Sequence, residues 1–375
     1  MKMNVKLLDC IDAIGPQIAA NGEQADASDE FSCENYELLA EHGVFSAMVP
    51  EQHGGPGLSY AEMAALLTSL AAYHPSTALS LSMHQHIVAT NVYKDKQGTG
   101  GGPLLQKIAD QELKLVSTGA GDWLASNGEM RRVEGGYRYS AVKHFASGSP
   151  AADMLVTSGP YEDPDEGWQV LHFPVSLADE GVTVMDNWAP MGMRGSGSNS
   201  VRIEDVFVPD AAVQVRRPRG DFHGVYCVVL PVALPLIMSV YLGIAETAAQ
   251  RARERCAASS DPVTPYLIGE METALTTARV LVADMVRISD GFDFSADVDT
   301  VNEVVKRKTV AAEACKTVAA KAVEACGGPG FMRAFGIECL LRDVMASHFH
   351  PLQEKRQHLF TGSVAMAKEP PGQAF

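Results

Sequence analysis

The apolar residues of this chain change their spacing twice, and those two changes restrict the fold to helices, then strands, then helices. From about residue 4 to 112, Leu7, Leu8, Ile11, Ile14 and Ile18 recur at steps of three and four, and 60–73 is rich in Ala, Leu and Met, as amphipathic helices require. Val49-Pro-Glu-Gln-His-Gly-Gly-Pro-Gly57 interrupts this pattern, and Ser59 can cap the helix that follows. At Lys114 the texture becomes short runs rich in Val, Tyr and Phe, at 114–118, 128–134, 137–147, 153–159, 168–174, 181–187 and 200–208, with Gly, Pro, Asp and Ser between them. Gly135-Gly136 marks a hairpin. Long Ala-rich or amphipathic segments return at 229–257, 264–290, 301–326, 336–349 and 352–367. The pattern predicts an α+β chain with an N-terminal α-helical domain over 1–113, a middle β-barrel or sandwich domain over 114–220 and a C-terminal four-helix bundle over 221–375.

Composition narrows the class of partner. A chain of 375 residues with 46% apolar content can build two or three compact units. Its net charge of -16 argues against nucleic acid and against an anionic membrane surface. The seven cysteines are scattered without a Cys-x-x-Cys pair, so neither a metal site nor a disulfide framework is expected, and reduced thiols fit a cytoplasmic location. Met1–Ala20 holds no leader-type apolar run, and no stretch of membrane-spanning length is expected.

The segment Met191-Gly-Met-Arg-Gly-Ser-Gly-Ser-Asn-Ser200, just before a β-rich run, carries the densest chemistry. Gly195 and Gly197 are expected to let the backbone approach a bulky ligand. Arg194, Ser196 and Ser198 would supply a charge and hydroxyls for phosphate or carbonyl oxygens. The plain alternative is an ordinary turn. Four further segments fall in order around it: the 49–59 loop, Gly136-Tyr-Arg-Tyr-Ser-Ala-Val-Lys-His-Phe-Ala-Ser147, Ala325-Cys-Gly-Gly-Pro-Gly-Phe331, and Leu341-Arg-Asp343.

Together these five resemble, in register over nearly the whole chain, the motifs of the acyl-CoA dehydrogenase superfamily. The resemblance implies a flavin, FAD with FMN as the alternative, lying between the β domain and the bundle of a homotetramer or homodimer. Phe145 matches the aromatic that covers the flavin ring, and Ser147 the hydroxyl near its N5 atom. Ser117 or Thr118 matches a hydroxyl near the pyrimidine end. Gly327, Gly328 and Gly330 match the turn that receives the nucleotide portion from a neighbouring subunit.

The departures bear on mechanism. An α-proton beside a thioester is weakly acidic, so dehydrogenation needs a placed base. The two positions where the family carries that glutamate are here Pro351 and about Ala233, and the nearest carboxylates, Glu354 and Glu246, read as solvated helix residues. His350 precedes Pro351 and resembles the histidine of the family's flavin-dependent monooxygenase branch; its companion is His84, on one helical face with Leu81 and Val88, while His86 points elsewhere. Both suit proton control near neutral pH. The phosphopantetheine motif is reduced to Gly119-Ala-Gly-Asp-Trp123, the arginine after position 233 is Leu234, and the segment that grips the neighbouring FAD is shortened to Arg255-Cys-Ala-Ala-Ser-Ser-Asp-Pro262. Arg131, Arg132, Arg216, Arg217 and Arg219 could pair with phosphates, or form a solvated basic face. The expected function is flavin-dependent oxidation of a small organic substrate, a CoA thioester or a related compound, with molecular oxygen taking part. Three readings stay beside it: a conventional dehydrogenase passing electrons to an electron-transfer protein, a two-component monooxygenase fed reduced FMN by a flavin reductase, and a silent flavin- or acyl-CoA-binding module.

Overall fold

The structure, a computed structural model, describes residues 5–372. Five helices come first: α1 Val5–Ser28, α2 Cys33–Glu41, α3 Tyr60–Tyr73, α4 Pro75–Lys96 and α5 Gly102–Gln111. Ser59 caps α3 with a reciprocal capping box, its hydroxyl accepting from the Glu62 N–H while the Glu62 carboxylate accepts from the Ser59 N–H. Pro75, at the first turn of α4, costs no hydrogen bond there.

Eight strands follow, with one short helix among them: β1 Leu115–Ser117, α6 Gly119–Asp122, β2 Glu129–Val133, β3 Gly136–Ala146, β4 Met154–Asp163, β5 Gly167–Ser176, β6 Val182–Val184, β7 Asn199–Pro209 and β8 Val215–Pro218. They form two four-stranded sheets, in the orders β1-β4-β5-β8 and β2-β3-β7-β6. All pairs are antiparallel except β1 with β4. The inner faces bury Tyr139, Leu155, Phe173, Val201 and Ile203 between the sheets. The basic tract at Arg216–Arg219, which falls outside the strand runs expected from the sequence, contributes the edge strand β8 as far as Pro218, with Arg217 opposite Val170. Basic residues on an edge strand look like loop to a pattern based on apolar alternation.

The chain closes with α7 Tyr226–Cys256, α8 Thr264–Ser289, α9 Val298–Cys326, α10 Gly328–Phe331, α11 Ile337–Val344 and α12 Glu354–Ala365. Asp297 caps α9 by accepting from the Thr300 N–H. The two helical parts share one apolar core, because α3 and α4 pack against α7. Contrary to the sequence expectation, α7 is long and apolar enough to cross a membrane, with a mean hydropathy of 2.3 over its most apolar window. Its place in the fold explains that composition: 83% of the window is buried by the helices around it. Pro235 has no N–H to give the carbonyl of Pro231, and the Ser289 hydroxyl satisfies that carbonyl instead at 2.6 Å.

Five histidines sit inside this structure as neutral groups. Burial, as the leading cause, lowers His74, His84 and His86 to about 4 and His172 and His350 to about 3, from an ordinary 6.5. Between pH 4 and 6.5 the unfolded chain therefore binds more protons than the native one. Their contribution is fully present above pH 6.5 and is lost as the pH falls through that window, by up to about 1.4 kcal/mol per pH unit for each histidine. Asp343, which burial raises to about 6, works in the opposite sense but is a single group. Calorimetric melting is expected to show a Tm that drops steeply between pH 6.5 and 4.5, and a flat profile there would contradict this account of the core.

Candidate active site

The loop between β6 and β7 lies where all three parts of the chain meet. The Met193 N–H donates to the buried carboxylate of Asp343 at 2.5 Å, and the Arg342 guanidinium donates to the Met191 carbonyl at 3.0 Å. Arg194 lies 3.2 Å from Asp29, just beyond α1. The Ser80 hydroxyl of α4 donates to the Ser196 carbonyl at 2.8 Å, and that carbonyl also accepts from the Gly148 N–H at 2.9 Å. Asp343 and Cys339 lie close to Asp26, but these carboxylates are already engaged by the Met193 N–H and by Arg342.

This geometry changes the reading of the loop's glycines. A Cβ on Gly195 would lie 3.0 Å from the His74 ring, and one on Gly197 would lie 2.6 Å from Phe31 and 2.9 Å from Pro150. Gly197 also has φ +53. What these glycines admit is the protein's own side chains. Ser196 is fully buried and bonds Ser198 at 2.7 Å, and Ser198 bonds Ser147 at 2.8 Å. Arg194 and Ser196 thus face the N-terminal helices and the loop interior, while Ser147 and Ser198 carry the hydroxyl pair to the end of β3.

Phe145 stands beside that pair. A register shift between Lys143 and Ala146 puts it at φ 62, and its ring is 53% exposed, meeting Trp188 edge to face at 6.3 Å. A half-exposed aromatic next to a hydroxyl pair suits the wall of a planar heteroaromatic group. At the far end of the bundle, a Cβ on Gly327 or Gly328 would meet nothing within 4 Å, whereas one on Gly330 would strike the Val323 carbonyl at 2.6 Å. Gly330 is therefore required by packing, and the other two leave open surface beside Phe331.

A cavity of about 270 Å³ lies between α4, α5, the β1-β4-β5-β8 sheet and the first turn of α7. Ser117, Thr118 and His86 line it, with Ser117 3.4 Å from the His86 ring. The histidine that reaches the cavity is thus His86 and not His84. His84 Nδ1 accepts from the Leu115 N–H at 3.0 Å and its Nε2 donates to the Phe45 carbonyl at 2.8 Å, so both ring nitrogens are spent on backbone. The sequence reading placed His84 inward correctly, but inward there means satisfied.

Behind Thr118 lies an ion pair that the sequence reading missed. Lys143, fully buried, donates to Asp122 at 2.8 Å, and the other Asp122 oxygen accepts from the Thr118 and Thr157 hydroxyls at 2.8 and 3.3 Å. Asp122 is the one carboxylate among the described lining residues. Of the basic tract, Arg131, Arg132 and Arg216 pair with Asp205, Asp210 and Asp163, and Arg217 is buried against His172 and Tyr226. His350 does not line the cavity. Its Nε2 lies 2.6 Å from the Tyr241 hydroxyl, on a helix position about 22 Å along α7 from Tyr226. Fully buried Lys308 donates to the carbonyls of His350 and Leu352 at 2.9 and 3.1 Å and holds this bend.

Residues 13–99 match the N-terminal domain of acyl-CoA dehydrogenases, and residues 229–349 match their C-terminal domain. The chain belongs to the acyl-CoA dehydrogenase family. It is 23% identical to a pigment production hydroxylase of Rhodococcus sp. over 92% of each chain. It is 25% identical to a cyclohex-1-ene-1-carbonyl-CoA dehydrogenase of Syntrophus aciditrophicus over 92% of this chain and 85% of the relative. The solved structure of KijD3 in complex with FMN and a dTDP-linked amino keto sugar superposes with a TM-score of 0.89 at 22% identity, covering 99% of this chain and 95% of that one. The helical parts, the β unit and their order are those of the acyl-CoA dehydrogenase fold. Within it, Pro351 and the buried Ala233 supply no carboxylate. Glu246 and Glu354 are tied to Arg279 and Lys355 at 2.8 and 3.0 Å.

The packing reading of the 191–198 loop has a direct test. Gly197→Ala should lower stability by about 2–3 kcal/mol in thermal unfolding, through its positive φ and the Phe31 contact. A stable variant that had only lost cofactor affinity would show that the glycine serves a ligand after all.

Proposed function

We propose that this member of the family is a flavin-dependent oxidoreductase that oxidises a small organic substrate with molecular oxygen taking part. The observation that carries the proposal is the state of the cavity's carboxylate: Asp122 has both oxygens engaged, by Lys143 and by two threonine hydroxyls. With Ala233 and Pro351 where the resemblance puts the family's base, α,β-dehydrogenation finds no free carboxylate among the described residues that line the cavity. The names of relatives as a hydroxylase, nitrososynthases and dibenzothiophene monooxygenases support the oxygen-using reading. A conventional dehydrogenase is the second reading, supported by the cyclohexenecarbonyl-CoA dehydrogenase among the relatives.

The cofactor of this reading is a flavin, with FAD favoured by the Gly327–Gly330 turn and FMN by the shortened Arg255–Pro262 segment. Phe145 and Trp188 would wall its ring system, the Ser147–Ser198 hydroxyl pair would meet its edge, and Ser117 with Thr118 would meet its pyrimidine end. A bound flavin supplies hydride acceptance and, once reduced, activation of oxygen. The protein's own contribution is proton placement and exclusion of water. His86, neutral and beside Ser117, offers a ring nitrogen at the cavity wall, where burial keeps it uncharged and able to hydrogen-bond and orient a bound substrate. The His350 ring is held by the Tyr241 hydroxyl, and Lys308 fixes the bend that carries it. The subunit contacts of the family, as a homotetramer or homodimer, would cover the open face at Gly327 and Phe331.

Turnover under labelled dioxygen is expected to place the label in product, and unlabelled product formed without oxygen would establish the dehydrogenase. His86→Asn should reduce kcat by about a hundredfold or more with flavin still bound, and His350→Asn should do likewise. Unchanged turnover in either variant would reduce that histidine to a packing group. Chromatography of the cofactor released on denaturation should identify FAD, and FMN held only weakly would favour a two-component enzyme fed by a reductase.

A further inference from the structure

The cavity holds polar groups that the proposal above leaves unused. Arg217, only 1% exposed, donates from Nε to the His172 Nε2 at 3.0 Å. A guanidinium has donors and no acceptor, so His172 Nε2 must present its lone pair. Burial and then the nearby Arg217 hold this imidazole at about 3, so it stays neutral and its single ring proton sits on Nδ1. His172 lines the cavity, and among the described residues nothing accepts from that Nδ1–H. Arg217 is itself fixed by the Leu124 and Trp123 carbonyls and by the Tyr226 ring, so the tautomer is built into the wall.

Lys94 points to the same ligand chemistry. It lines the cavity half-buried, pairs with no carboxylate among the described residues, and burial lowers its pKa. It is close enough to be one of the charges acting on His172. Asp122, the carboxylate of the lining, is balanced by Lys143, so the unbalanced charge in the cavity is positive. Ile87, Leu104, Leu115, Met154, Val156 and Val229 supply apolar wall. A half-buried cation and an N–H with no protein acceptor among the described residues, both in the lining of a largely apolar cavity, are complementary to an anionic oxygen.

We propose that this cavity selects a small, largely apolar organic anion whose oxygen is received by the His172 Nδ1–H and the Lys94 ammonium. The inference rests on the reading of the protein as an oxidoreductase of small organic substrates and names the class of that substrate. Arg217 acts through His172 as a positioning residue. A cavity of about 270 Å³ suits a bicyclic aromatic acid better than an extended thioester.

Titration calorimetry of the flavin-loaded protein with indole-3-carboxylate and with indole tests the proposal. The carboxylate should bind about tenfold tighter or more. His172→Phe and Lys94→Met should each remove most of that advantage while flavin affinity, read by fluorescence quenching, stays within about twofold. Equal binding of the two probes, binding of neither, or an advantage that survives both substitutions would overturn the assignment. Loss of flavin affinity in parallel with the probe would show that the donor serves the cofactor, which also overturns it. If His172→Phe does not fold, the wild-type comparison and Lys94→Met still decide. Labelled-oxygen turnover can fail without altering these binding results, so the two readings fail separately.

Discussion

The contact between the Met193 N–H and the buried Asp343 carboxylate is what the site's geometry depends on. It draws the 191–198 loop from the β unit onto α11. Around it, Arg342, Asp29, Ser80 and Ser147 bring in α11, the end of α1, α4 and β3. Burying a carboxylate is costly, and Asp343 accordingly titrates at about 6. The backbone N–H and the neighbouring Arg342 offset part of that cost. The aromatic wall and the hydroxyl pair come from different parts of the chain, and this clamp holds the loop that joins them.

A second layer of buried polar chemistry sets the character of the cavity. Asp122 and His172 line the cavity beside Ser117, Thr118 and Tyr226, and their partners Lys143 and Arg217 lie behind them. The Asp122–Lys143 pair is not a simple stabiliser, since a buried ion pair returns little net free energy against well-packed apolar residues. The effect of both pairings is on what remains exposed to the cavity: a carboxylate with no free oxygen and an imidazole with a fixed tautomer. The surface ion pairs of Arg131, Arg132 and Arg216 are of a different kind, being solvated and contributing little.

Much of the fold was legible along the chain because helices and strands write their period into neighbouring residues. Seven strand runs and the long helices coincide with elements of the structure, and the cap at Ser59 forms as its spacing predicts. The exceptions have physical causes. β8 was hidden because its basic residues mimic a solvated loop, and α7 was underestimated because its apolar length serves the shared core of both helical parts. The site was less legible. Along α4 nearly every side chain is buried, so a helical face cannot single out those against the cavity, and the pattern favours His84 where the structure favours His86. Gly195 and Gly197 read as room for a ligand, yet the room is filled by His74 and Phe31.

By itself the sequence determined the order of the elements, the family, and the identity of the residues at positions 233 and 351, because these depend on local period and on residue type. Tertiary structure alone decided which groups are free to do chemistry. His84 is spent on a strand 31 residues away, Met193 on a carboxylate 150 residues away, and Arg217 on the histidine whose proton it fixes. The reason is the reach of the interactions: periodicity is encoded within a few neighbouring residues, whereas the partner of a buried donor is set by which distant segments pack together.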